Sequence, residues 1–276
     1  MSVSRSGRHW RWRRSPLLAA TAVLAIALGL PTLAGQVGAS TAKPSMPWLD
    51  ATLSTTARVN ALLNAMTLPE KVGQMDQQLV DNVTDPNGAN CNTGNFGMPN
   101  PVCEQKFFGD QHVGSVLAGG TDNPVDTTGK GGTGNTGFDW ANEYNMIQKA
   151  AIEDSRLHVP VIFGVDAVHG FGHPFQAPLF PQSIGMGATW DPAAAQAGGA
   201  ATANALRATG WVWDFAPVQD LSRDNRWGRT YETWAEEPVL SAALGAANIQ
   251  GLQTPGKANA LNVTATVKHF AGYSQS

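Results

Sequence analysis

Apolar residues along the chain form two alternating patterns. Short apolar-rich runs, Val113 to Leu117, Val161 to Val165, Trp211 to Phe215 and Val263 to Val267, have the length of strands. A run such as Val161 to Val165, apolar on both faces, fits a parallel sheet covered on both sides. Longer segments with helical spacing lie around and between these runs. The first opens at Thr67-Leu68-Pro69-Glu70, a capping box with proline in the first turn, and is predicted to continue to about Val80. A second runs from about Asp139 to Arg156, with Trp140, Tyr144, Ile147 and Ala151 on one face. A third starts at Asp191-Pro192 and ends at Gly210, and a fourth runs from Glu237-Pro238 to about Gln253. Asp81 to Gln111 and Gly119 to Gly137 read as loops.

The resulting order is β, α, β, α, β, α, β, with polar residues gathered just after each strand. That alternation predicts an α/β fold, an incomplete TIM-type (β/α)8 barrel represented by about its first four strands, because barrel sites are built at the carboxyl ends of strands. An open doubly wound sheet is the rival architecture. No Gly-x-Gly-x-x-Gly turn follows the first strand, and Gly170-Phe171-Gly172 lacks the third glycine and runs into Pro174 instead of a helix.

The N-terminus departs from the pattern. Arg5, Arg8, Arg11, Arg13 and Arg14 precede the apolar stretch Leu17 to Leu30, and Val37-Gly38-Ala39 offers small residues for cleavage. Residues 1–39 therefore read as a secretory signal peptide and 40–52 as a linker, with the barrel portion over 53–276. As a helix the 14-residue apolar stretch would rise only about 21 Å, too short for a stable membrane anchor. The expected location is secreted, either extracellular or periplasmic. Its five arginines and absence of acids mean that the formal charge of −3 becomes −8 once the segment is gone. An acidic exported protein lacks the electrostatic footprint of a nucleic-acid binder. In an oxidising compartment Cys91 and Cys103, the only cysteines, read as a disulfide, with two free thiols as the other reading; two cysteines alone make no zinc site.

Candidate chemistry lies at three strand ends: Asp166 with His169, then Arg223, Asp224, Arg226 and Arg229, then Lys268 with His269. Sugar hydroxyls donate and accept, so mixed acidic and basic groups suit a sugar better than a phosphate, which favours donors alone. The competing reading pairs Arg226 or Arg229 with Glu232 or Glu236 in a buried network that fixes the loop. Asp166 and Lys268 directly end apolar runs and fit that reading less well. Asp214, inside Trp211 to Phe215, reads either as a core carboxylate or as a support for the site. His169 and His173 are four apart, but the glycines and proline around them argue against a helix and hence against a metal pair. Trp227 and Trp234 are candidates for stacking on a sugar or for packing.

Four stretches, VIFGVDAVHG, FPQSIGMGATWD, FAPVQDLSRDNRWGRTYET and VKHFAGY, together resemble the N-terminal barrel domain of glycoside hydrolase family 3, in particular bacterial β-glucosidases, from roughly Leu53 onward. The resemblance implies that Asp166, Arg229, Lys268 and His269 bind hydroxyls of the sugar in the innermost subsite. It also implies retaining hydrolysis through a glycosyl-enzyme formed on an aspartate, without metal or organic cofactor, on a β-glucoside or oligosaccharide. Relatives acting on N-acetylglucosaminides usually continue Lys-His with Phe-Pro-Gly-His-Gly; here Phe270-Ala271-Gly272-Tyr273 follows, which favours the glucosidase branch. Retaining chemistry needs two carboxyl groups about 5 to 5.5 Å apart. The family's nucleophile, an aspartate in a Ser-Asp-Trp-like stretch at a later strand end, has no counterpart among these residues, and Ser222-Arg223-Asp224 is not that motif. The acid/base residue of the glucosidase branch comes from a second domain. The expectation is a chain that supplies the sugar-binding half of a pocket, with the catalytic groups in a missing C-terminal part; the alternative is a non-catalytic carbohydrate-binding fragment.

Overall fold

The structure, a computed structural model, describes residues 46–84, 91, 97–118, 123–126, 134–253 and 262–275. The signal-peptide reading of residues 1–39 lies outside the described residues, as does most of the glycine-rich stretch Gly119 to Gly137. The linker reading is described only from Met46; there Trp48 donates from its indole N–H to the Leu157 carbonyl at 2.9 Å, and Arg58 donates to the Trp48 carbonyl at 2.8 Å.

Five strands form one parallel sheet: β1 Gln77–Leu79, β2 Ser115–Ala118, β3 Ile162–Val165, β4 Trp213–Asp214 and β5 Thr264–Ala265. Their order in the sheet is their order in the chain, and every pairing is parallel. A doubly wound sheet reverses its strand order at a switch point. Among the described residues no such reversal occurs.

The helices are α1 Thr55–Ala65, α2 Leu68–Gly73, α3 Val80–Val83, α4 Pro101–Glu104, α5 Gly137–Asp154, α6 Ser183–Gly187, α7 Pro192–Ala208 and α8 Pro238–Gln253. The expected count of four strands is corrected to five, because the helix predicted from Thr67 to Val80 stops at Gly73 and β1 follows it. The reason is close backbone approach: a Cβ on Gly73 would lie 2.1 Å from the Gln111 carbonyl oxygen, and the Gly73 carbonyl accepts from Gly114 N–H at 3.0 Å. Continuing the helix would break that contact. Strand β1 reads Gln-Gln-Leu and, among the described residues, pairs only with β2, so its sequence carries no apolar run to betray it. The stretch Asp81 to Gln111 lies partly outside the described residues, and its described part holds most of α3, then α4 and a π-helical turn at Gln105–Asp110, where a loop is expected.

The other segments keep their predicted types with shifted bounds. Capping boxes close the N-termini of α2, through Thr67 and Glu70, and of α5, through Thr136 and Asp139. Helix α7 starts from the Asp191 cap, and the chain leaves it through Gly210 at φ +89°, a left-handed conformation suited to glycine. Strands β4 and β5 contain two residues each. Beyond them the Val218–Lys268 bridge continues the parallel pairing.

One aromatic cluster fills the space between the sheet and α5. Trp140 stacks edge-on against Phe171 at 5.3 Å and Trp211 at 5.4 Å, and Phe163 meets Trp211 at 5.2 Å. All four side chains are essentially inaccessible to water. Burial of such large apolar area, about 1.5–3 kcal/mol for a phenylalanine-sized side chain, fixes β3 and β4 side by side. Their carboxyl ends then point their last residues toward the same rim.

Candidate functional site

The residue after β3 is Asp166, and its backbone is held on both sides. Its carbonyl accepts a hydrogen bond from the His173 ring at 3.1 Å. The next N–H, that of Ala167, donates to Asp214 Oδ1 at 3.0 Å. The turn leaving β3 is thus tied to the end of β4, and the Asp166 carboxylate is left half-exposed at the rim.

Lys268 arrives from the segment beyond β5. Its backbone N–H donates to the Pro217 carbonyl at 3.2 Å, and its own carbonyl accepts from Gln219 N–H at 2.7 Å. Its ammonium reaches Asp166 Oδ1 at 2.5 Å, and the lysine side chain is only 14% exposed. His269 follows, with Nδ1 2.6 Å from Asp220 Oδ2 and its backbone N–H donating to the same oxygen at 3.3 Å.

Arg229 sits on the loop after β4 and makes a bidentate pair with Glu232, Nε to Oε1 at 2.7 Å and Nη2 to Oε2 at 2.6 Å. Burial raises the Glu232 carboxyl, but the Arg229 hydrogen bonds and charge, aided by Lys268 and His269, outweigh it and hold the group below the usual carboxylate range. The same pairing pushes the Arg229 guanidinium up. Tyr273 closes the group: its ring lies 4.9 Å from the His269 ring and 5.7 Å from the Arg229 guanidinium carbon.

A hollow of about 620 Å3 opens beside these residues, lined by Gln219, Asp220, Arg223, Lys268, His269 and Phe270 among others. A neighbouring hollow shares His269 and adds Arg229 and Tyr273. The structure therefore brings Lys268, His269 and Arg229 to one rim and joins Asp166 to them through the Lys268 ammonium. The pairing reading of the arginines holds for Arg229 and not for Arg226. Arg229 is paired with Glu232 and also lines the second hollow, whereas Arg226 pairs with Asp224 on the surface at 2.6 Å.

His169 and His173 bond to other groups. The His169 ring reaches the Phe180 carbonyl at 2.9 Å and Gln182 at 3.1 Å, while His173 takes the Asp166 carbonyl. Trp234 is buried with Ala195, Leu244 and Ala247, a packing role; Trp227 meets Tyr273 edge-on at 5.4 Å. Asp220 and Tyr273 are not among the residues that the sequence reading singles out. Asp220 could have been, since it follows the apolar run Phe215 to Val218 much as Asp166 follows its own.

Asp214 is fully buried, and among the described residues its Oδ2 has no hydrogen-bond partner. Burial pushes its carboxyl up to about 7, against the Ala167 N–H and the Lys268 charge, which act the other way. It is a neutral core carboxyl over much of the acidic range and supports the turn that carries Asp166. The cysteines, expected as a disulfide, are bonded to each other.

Residues 67–276 match the model of the glycosyl hydrolase family 3 N-terminal domain. The chain belongs to glycoside hydrolase family 3. This family 3 chain is 31% identical over 221 residues to the lysosomal beta glucosidase of Dictyostelium discoideum, covering 78% of the chain and 26% of that protein. To the periplasmic beta-glucosidase of Salmonella typhimurium it is 30% identical, covering 79% of the chain and 23% of the relative. Among solved structures, the exo-1,3/1,4-beta-glucanase from a Pseudoalteromonas species aligns with a TM-score of 0.63 at 32% identity, over 79% of this chain and 25% of that one. The beta-glucosidase from Listeria innocua in complex with glucose aligns at 0.60 and 28% identity, over 79% and 27%. The family 3 chain thus spans about a quarter of the length of these relatives. Among its described residues no helix is long and apolar enough to cross a membrane.

Proposed function

We propose that this chain forms the glucose-holding wall of a secreted β-glucosidase-type hydrolase, as the first part of a (β/α)8 barrel. Asp166, Arg229, Lys268 and His269 bind the hydroxyls of the sugar in the innermost subsite. The observation that carries this reading is the Asp166–Lys268 contact, which joins the ends of β3 and β5 beside a hollow that His269 and Arg223 also line. A carboxylate accepts from a hydroxyl whose own oxygen accepts from the neighbouring ammonium, so the pair can hold adjacent sugar hydroxyls in a fixed orientation. On this reading neither the nucleophile nor the acid/base carboxyl of a retaining β-glucosidase is among the residues assigned here, and hydrolysis requires both.

The test is hydrolysis of a 4-nitrophenyl β-glucoside by the 276-residue chain. The expected result is no turnover above the uncatalysed rate. Turnover abolished by Asp166→Ala would show that the nucleophile lies within this chain and would overturn the division of labour. Export follows from the N-terminal pattern, and a Cys91–Cys103 disulfide is the chemistry expected of an oxidising compartment.

A further inference from the structure

We propose that Asp220 is a positioning residue: it fixes His269, which lines the hollow, in the tautomer with the proton on Nδ1 and leaves Nε2 as a hydrogen-bond acceptor. The Asp220 side chain is 3% exposed and the His269 side chain 30%. One carboxylate oxygen, Oδ2, receives both the His269 backbone N–H at 3.3 Å and ring Nδ1 at 2.6 Å. An ionised carboxylate only accepts, so Nδ1 must be the donor, and in a neutral imidazole that leaves the lone pair on Nε2. The double contact sets the ring's direction as well as its tautomer.

Two further contacts keep the clamp in register. The Gln219 N–H to Lys268 carbonyl bond, at 2.7 Å, joins the residues immediately preceding Asp220 and His269. The Tyr273 ring stands edge-on to the imidazole at 4.9 Å. The ring is therefore braced by both a polar and an aromatic neighbour while it lines the hollow.

The tautomer has a chemical consequence at the site. Lys268 presents only donors. An acceptor beside it lets a bound hydroxyl donate to Nε2 and accept from the ammonium, which satisfies both of its roles. The opposite tautomer would offer a second donor there and leave the Asp166 carboxylate as the acceptor at the ammonium. This consequence rests on the sugar-binding reading above, whereas the tautomer itself does not.

The test is nitrogen NMR of the 276-residue chain labelled at histidine, with His269→Gln assigning the signal, alongside glucose calorimetry. The expected spectrum, taken at a pH where the imidazole is neutral, has a protonated Nδ1 and a bare Nε2 at His269. Asp220→Ala should lose that tautomer and weaken glucose binding by about tenfold or more, the scale on which lost outer-shell partners act. Asp220→Asn, whose carbonyl oxygen can accept the same bonds, should keep the tautomer and bind within about threefold of the parent. A parent spectrum with the proton on Nε2 and a bare Nδ1 would overturn the proposal whether or not any variant folds. So would an Asp220→Ala chain with unchanged ring signals. A chain with the expected tautomer and no glucose binding would overturn the sugar-binding reading and leave the clamp standing.

Discussion

Lys268 Nζ lies 2.5 Å from Asp166 Oδ1, although 102 residues separate the two in sequence. The contact exists because β3 and β5 flank β4 in a parallel sheet, so the residues beyond both strands emerge at the same edge. Placing the pair there leaves the carboxylate half-exposed and the ammonium mostly buried. Asp166→Ala should therefore strand a buried ammonium and lower stability by about 1–2 kcal/mol, less than for a fully buried pair because the carboxylate is partly solvated. Lys268→Met, which leaves only the wetter partner, should cost less. Urea unfolding of the two variants measures the asymmetry.

The Asp214 carboxyl, pushed up to about 7 mainly by burial, has a folded pKa above its unfolded value near 3.8. The folded chain then binds the extra proton, so this group's contribution is full below pH ~4 and is lost as pH rises through about 7. Thermal melts from pH 4 to 8 should show stability falling across that window. Asp214→Asn should flatten the fall, because the amide oxygen still accepts from Ala167 and no charge develops. An unchanged slope in the variant would remove Asp214 from the explanation.

Glu70 acts in the opposite sense. The Arg156 hydrogen bonds, at 2.9 and 2.8 Å, and the Thr67 cap hold its carboxyl down at about 2 against burial. Its contribution is present above the ordinary value of 4.5 and is lost as pH falls toward 2. Arg156→Met should make the chain less stable at pH 7 and should remove much of the loss on acidification between pH 4.5 and 2. Thr67→Ala should cost about 1 kcal/mol as a lost N-cap. Circular dichroism melts of the two variants at pH 7 and pH 3 distinguish these effects.

The Cys91–Cys103 disulfide spans a sequence separation of 12. A cross-link closing so short a loop contributes about 3 kcal/mol in the chain-entropy model. Cys91→Ser/Cys103→Ser should lower the urea midpoint accordingly. The same midpoint for parent and variant would mean that the cross-link does not constrain the unfolded chain.

Much of this architecture was legible because it rests on local rules. The capping box at Thr67, the Asp191 cap and the fully apolar run ending at Val165 each carry their signal in neighbouring residues. Strand β1 was not legible: Gln77 and Gln78 are polar, and only the approach of Gly73 to Gln111 and His112 ends the helix before them. The strand-end positions of Asp166 and Lys268 were visible, but not that they touch, since the contact depends on register across three strands. Glu232 could be named as a partner for an arginine, yet the choice of Arg229 over Arg226 comes from the 3₁₀ turn at Thr230–Glu232, which brings Glu232 back under Arg229. The position of Asp220 just past the apolar run Phe215 to Val218 was a usable signal, but its contact with His269 was not legible, since that depends on the register between the segments after β4 and β5.

The most direct measurement of the central claim is calorimetric titration of glucose into the 276-residue chain and into its Asp166→Ala and Arg229→Met variants. The account predicts saturable heat for the parent and affinity at least about tenfold weaker in each variant, the scale of losing a charge-assisted hydrogen bond. Absence of saturable binding to the folded parent, or equal affinity in parent and variants, would contradict it.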